Sequence, residues 1–149
     1  MDVFTSNPLD LPPIAERDCI RADVIFYGVT HRGESYEALV FVDHPEADIS
    51  TPRDPELGYA GSFTVFGHGG CFGDTGHCDP NGRNSDAFDV RPPHPMTPWT
   101  KSVIATEAIR RATADTVTIT VVPVAVGRRA PRLSNAMSFQ SLKLALYAA

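Results

Sequence analysis

The sequence predicts an all-β fold: an antiparallel β-sandwich or small barrel of six to seven strands with one short helix. Three observations carry this. Short runs rich in β-branched and aromatic residues recur along the chain, several alternating with period two. The connections between them are rich in Pro, Gly, Asn and Asp, the residues of turns and irregular loops. A single stretch, Glu107-Ala108-Ile109-Arg110-Arg111-Ala112, has the pattern of one or two helical turns. With 149 residues, 42% of them hydrophobic, the chain is long enough for one ordinary core.

Residues 1–18 read as an extended, Pro-rich arm or linker. Pro8, Pro12 and Pro13 each lack an amide donor and restrict the residue before them, so Asn7 to Pro13 cannot sustain a helix. The domain itself is expected over 19–149. Its first strand runs from Cys19 to Val29, where Ile20, Ala22, Val24 and Phe26 alternate with Arg21, Asp23 and Ile25. After the turn Thr30-His31-Arg32-Gly33-Glu34-Ser35, a second strand spans Tyr36 to Val42, and the two are expected to pair antiparallel. Asp43 to Leu57 carries Pro45, Pro52 and Pro55 and reads as a long surface loop. A third strand covers Ala60 to His68, with Phe63 and Val65 on one face and Phe66 and His68 on the other.

Asp79 to Pro98 reads as extended coil with at most a short strand near Phe88-Asp89-Val90. Thr100 to Thr106 is a further strand, and the helical turns follow it. Thr116 to Val126 has the strongest β-branched enrichment, with Pro123 marking a bulge or an edge position. Ser138 to Tyr147, with Leu142, Leu144 and Leu146 on one face, closes the fold.

A formal charge of -5 argues against a nucleic-acid or anionic-membrane partner, since both are held by clustered Lys and Arg. The one dense basic run, Arg128-Arg129-Ala130-Pro131-Arg132, has no interleaved aromatics for base stacking and reads as a solvated loop. No apolar stretch is long enough to span a bilayer, and Met1 to Ser6 lacks the basic start of a secretory leader. A cytoplasmic setting is therefore expected, with the three cysteines reduced and serving metal binding, redox chemistry or packing. Nucleophile-elbow, phosphate-loop and dinucleotide motifs are absent.

The chemistry is concentrated in Gly67-His68-Gly69-Gly70-Cys71-Phe72-Gly73-Asp74-Thr75-Gly76-His77-Cys78. Glycine permits positive φ and close approach, so such a segment can fold back tightly enough for ligands to converge. Imidazole and thiolate together suit copper, with zinc as the alternative, and His68, Cys71, His77 and Cys78 are the candidate metal ligands. A Cys71–Cys78 disulfide or dithiol pinning the loop is the competing interpretation. Cys19 is expected to be a small packed residue. Asp74, the carboxylate nearest these groups, is the candidate general base or outer hydrogen-bond partner, against an ordinary turn role. His31, in a turn next to the strand that carries His68, is a further candidate ligand from the same end of the sandwich. His44 and His94, each beside proline, read as surface or locally hydrogen-bonded side chains.

Three strings, Ser35 to Val42, Gly58 to Cys71 and Arg91-Pro92-Pro93-His94-Pro95, resemble the C-terminal β-sandwich of bacterial tyrosinase-like proteins, relatives of the polyphenol oxidases and hemocyanins. The resemblance covers the chain from about Cys19 onward. A complete type-3 copper enzyme holds two coppers with six histidines on a helix bundle, whereas this chain has five histidines and no bundle. The resemblance thus implies the accessory domain standing alone, with a type-3 copper protein as partner and the Pro-rich arm as the remnant of a linker. It implies copper handling for Cys71 and Cys78 with His68 and His77, and a pocket-covering side chain at Tyr59 or Phe72. Two further functions follow from the residues alone: a small self-contained metalloenzyme, in which His68, His77 and His31 hold an ion and Asp74 moves protons, and a structural interaction domain with a disulfide-pinned loop.

Overall fold

The computed structural model describes residues 3–14, 21–31, 33–67, 97–126 and 137–147. Its strands are β1 (Phe4–Thr5), β2 (Leu9–Asp10), β3 (Arg21–Val29), β4 (Tyr36–Val42), β5 (Tyr59–Val65), β6 (Trp99–Ile104), β7 (Thr116–Val117), β8 (Ile119–Ala125) and β9 (Ser141–Tyr147), with a single α-helix, α1 (Thr106–Arg111), among the described residues. A four-stranded sheet of order β1-β8-β4-β5 packs on a three-stranded sheet of order β6-β3-β9, and β2 pairs with β7. Every pairing is antiparallel. This is the all-β sandwich that the alternation predicts.

Period two explains the core directly. Ala22, Val24 and Phe26 of β3 and Tyr36, Ala38 and Val40 of β4 are fully buried, as are Ile119 and Val121 of β8. They meet across the two sheets, with Leu142, Leu144 and Leu146 packed against them. Phe26 lies at the centre, its ring 4.9 Å from Phe63 and 5.3 Å from Phe139; burying such a side chain contributes about 2–3 kcal/mol.

The predicted β3–β4 pairing does not form. β3 pairs with β6 and β9, and β4 with β5 and β8. The two strands lie in different sheets and face each other through their apolar sides. A tight hairpin would have put both strands in one sheet, whereas the longer connection between them lacks the two-residue turn that enforces one.

Over its described residues, 3–14, the arm is paired with the sandwich. Phe4 lies opposite Val121 and Leu9 opposite Val117. The predicted strand over 116–126 is broken at Thr118, which turns to Asp43: the Asp43 N–H donates to the Thr118 carbonyl and the Thr118 N–H to Asp43 Oδ1, both at 2.9 Å. Pro123 pairs with Ala38 in unbroken register, and β1 reaches no further along β8 than Thr120 and Val121. Proline therefore sits where the ladder has one neighbour, the edge alternative.

β4 is buried on both sides. Its outer face carries Leu39 and Phe41, which form a second cluster with Val122 and Ala47. The 43–58 connection, a long loop as predicted, folds over this face. Arg53 clamps it by two hydrogen bonds to Glu37, at 2.8 and 2.6 Å, and Ser62 donates to the same carboxylate at 2.7 Å. These donors hold the Glu37 carboxyl below its ordinary range, the Arg53 contact contributing most. The loop closes with a 3-10 turn at Pro55–Leu57, capped by Asp54 and ended by Gly58 at φ 81.

Candidate functional site

One end of the sandwich gathers the turn after β3, the end of β5, the start of β6, the end of β8 and the approach to β9. Ser35 is a hub there: its hydroxyl accepts from the Gly67 N–H at 3.0 Å and its carbonyl from the Val126 N–H at 3.1 Å. The Thr30 N–H donates to the Ser138 carbonyl at 2.9 Å. Gly67 is pressed so closely on the turn that a Cβ there would lie 2.1 Å from the Gly33 carbonyl oxygen. Only glycine fits without displacing backbone.

His31 closes the other side of this end. It is 7% exposed, and its ring stacks on Trp99 with centroids 4.2 Å apart and planes 11° from parallel. Nε2 lies 3.1 Å from the Thr97 carbonyl. A carbonyl can only accept, so the proton sits on Nε2 and that nitrogen is committed. Lys101 Nζ lies 4.7 Å from the Trp99 ring centroid, a cation–π contact. Residues 67 and 97, which flank the 68–96 segment, are thus both tied to the turn over 30–35.

Of the sequence-predicted site residues, His31 lies at the end of the sandwich that residue 67 leaves and residue 97 re-enters. His68, Cys71, Asp74, His77 and Cys78 lie outside the described residues, as do Cys19, Phe72, His94, the short strand expected near Phe88-Asp89-Val90 and the basic run 128–132. Among the described residues no three His, Cys, Asp or Glu side chains converge as a metal site. His31 by itself does not fit one through Nε2 while it holds Thr97. His44 is a locally hydrogen-bonded surface side chain, as the sequence suggests: its Nδ1–H donates to the Leu57 carbonyl at 2.8 Å.

Tyr59 packs on Phe41, with ring centroids 5.4 Å apart, at the opposite end of β5 from Gly67. Strand rise puts the two roughly 25 Å apart. Tyr59 and the glycine-rich segment therefore begin from different ends of the domain.

Several features of this end were not drawn from sequence. Trp99, the single tryptophan, carried the available signal, standing at a predicted strand start straight after a proline-rich stretch. Phe66 is 74% exposed, a large ring left in solvent beside Gly67. Tyr36 is fully buried, and its hydroxyl has no hydrogen-bond partner among the described residues; burial pushes that phenol up to about 12. Nothing in an alternating strand pattern distinguishes such a tyrosine from a phenylalanine.

No protein-family model and no curated protein sequence matches the chain. Solved structures do. Latent aurone synthase, a polyphenol oxidase, recombinantly expressed, superposes with a TM-score of 0.55 and 17% identity over 97% of this chain and 24% of its own. The same enzyme from its natural source gives 0.56 and 18% over 98% and 24%. At such identities the likeness is one of fold. The chain spans about a quarter of the length of these structures.

Proposed function

We propose that this chain is a tyrosinase-related accessory module, corresponding to a C-terminal domain, that binds or covers a type-3 copper partner and handles copper for it. The observation that carries the reading is the asymmetry of the structural match. Nearly all of this chain superposes on polyphenol oxidases, while about three quarters of each of those chains has no counterpart here. A fold that corresponds to one part of an oxidase suits a module that serves a catalytic body rather than being one. The copper half rests on ligand chemistry: His68, Cys71, His77 and Cys78 are the imidazole and thiol groups that soft copper prefers, with zinc second. The frame contributes rigidity, because Ser35, Gly33 and His31 hold the chain on both sides of the segment that bears those groups. No proton-transfer role for Asp74 is needed in this reading.

Anaerobic titration of Cu(I) into the reduced protein against a chromophoric chelator tests the copper half. Binding tighter than about 1 µM, lost in His68→Ala and in Cys71→Ser, is the expected result. Weaker binding, or binding indifferent to both substitutions, removes it. Stoichiometric inhibition or copper loading of a purified type-3 copper enzyme by the added chain tests the partner half separately.

A further inference from the structure

The end of the sandwich opposite the turn over 30–35 carries a cleft of about 510 Å³, where β5 begins, β6 ends and α1 crosses between them. We propose that this cleft is a binding site for a small amphipathic anion, an apolar ring or short chain bearing one carboxylate. Its floor is apolar: Ala60, Ala105 and Ala108 line it, and Ile104 stands on its lip, 56% exposed. Its wall carries two guanidinium groups, Arg110 and Arg111, and one carboxylate, Glu107. Apolar lining with a few placed polar groups is the general character of small-ligand sites, and the volume falls in their usual range.

The charges are arranged asymmetrically. Arg110 pairs with Glu107 at 3.1 Å and Arg111 with Glu56 at 3.4 Å; the arginine side chains are 40% and 48% exposed, and the carboxylates 71% and 80%. The cations are thus less exposed than their partners, of which Glu107 also lines the cleft. Exposed pairs of this kind are weak. An incoming carboxylate over an apolar floor competes with Glu107 for the Arg110 guanidinium, gaining a charge-assisted hydrogen bond in a less solvated place.

The walls are also fixed beforehand, which lowers the cost of ordering on binding. The Ala105 N–H donates to the Ala22 carbonyl at 2.8 Å, and the Thr106 hydroxyl accepts from the Ala22 N–H at 3.1 Å. Ile109 anchors α1 in the core with no exposed surface. Arg111 Nη1 donates to the Pro55 carbonyl at 2.9 Å, joining the helix to the 3-10 turn. Arg111 thus also holds the 3-10 turn, and the substitution is made at Arg110. The site draws on none of the candidate copper ligands.

Titration of 4-phenylbutyrate into the ¹⁵N-labelled chain, followed by amide shifts, tests the proposal. Saturable shifts confined to Tyr59, Ala60 and Ala105–Arg111 are expected, with a dissociation constant on the order of 1 mM for so small a ligand. The uncharged 4-phenylbutanol, and phenylbutyrate with Arg110→Gln, are each expected to bind roughly tenfold more weakly. Shifts that are absent or scattered over the surface overturn the site. Equal affinity of acid and alcohol, or an affinity unchanged in Arg110→Gln, overturns the anion specificity and with it the proposal.

Discussion

Replacing Tyr36 by phenylalanine is expected to stabilise this protein, and by an amount that grows with pH. The ring stands on the inward face of β4, with Val65 and Ala125 beside it in register. It is fully buried, and its hydroxyl has no hydrogen-bond partner among the described residues. A buried polar group without a partner costs about 1–3 kcal/mol relative to its solvated state. Allowing for the small void left by one oxygen, Tyr36→Phe is expected to gain about 1 kcal/mol at pH 7. The phenol is also pushed up to about 12 by burial, against about 10 in an unfolded chain. Between those values the unfolded protein ionises while the folded one does not. The contribution is therefore fully present below pH 10 and is lost as pH rises through 12. Two pH units correspond to about 3 kcal/mol, a loss that the phenylalanine variant escapes. Urea unfolding of both proteins at intervals from pH 7 to 12, followed by Trp99 fluorescence, measures the difference; the remaining tyrosines titrate alike in both and cancel. A variant less stable at pH 7, or a gap that does not widen above pH 10, would refute the argument and assign the hydroxyl a partner.

Gly67→Ala forces a Cβ to within 2.1 Å of the Gly33 carbonyl oxygen, and a loss of about 2–4 kcal/mol is expected in thermal or urea unfolding. His31→Ala removes the stack on Trp99 and the hydrogen bond to the Thr97 carbonyl; red-shifted Trp99 emission and a loss of about 2 kcal/mol are expected, while unchanged emission would show that the stack does not persist in solution. Glu37→Gln weakens the clamp on the 43–58 connection. Because the carboxyl is held below its ordinary range by Arg53 and Ser62, its contribution is present above the unfolded value of about 4.3 and is lost as pH falls through the folded one. The variant is expected to lose about 1 kcal/mol at pH 7 and to show a shallower decline in stability on acidification. An acid limb as steep as that of the parent would count against the clamp.

Strand identity was legible because burial and alternation are local. Ala22, Val24 and Phe26 declared one buried face, and Leu142, Leu144 and Leu146 another, without reference to any neighbour. The helix at Thr106–Arg111 could likewise be read within a residue of its ends. Strand partners were not legible. The same apolar face on β3 and β4 is satisfied by lying side by side in one sheet or by facing across a core, and the choice depends on β6, β8 and β9, far along the chain. The double burial of β4 is decided in the same way: Leu39 and Phe41 are covered by Ala47 of the 43–58 connection, which Arg53 ties to Glu37, and by Val122 of β8. At the candidate site, sequence determined which groups are present, the imidazoles and thiols of residues 68–78 and the imidazole of His31. Tertiary structure decided that Gly67 and Thr97 are held by the same turn, and that His31 spends Nε2 on Thr97 rather than presenting it. A side chain's type is set by its codon, but whether its lone pair is available is set by whatever the fold packs against it.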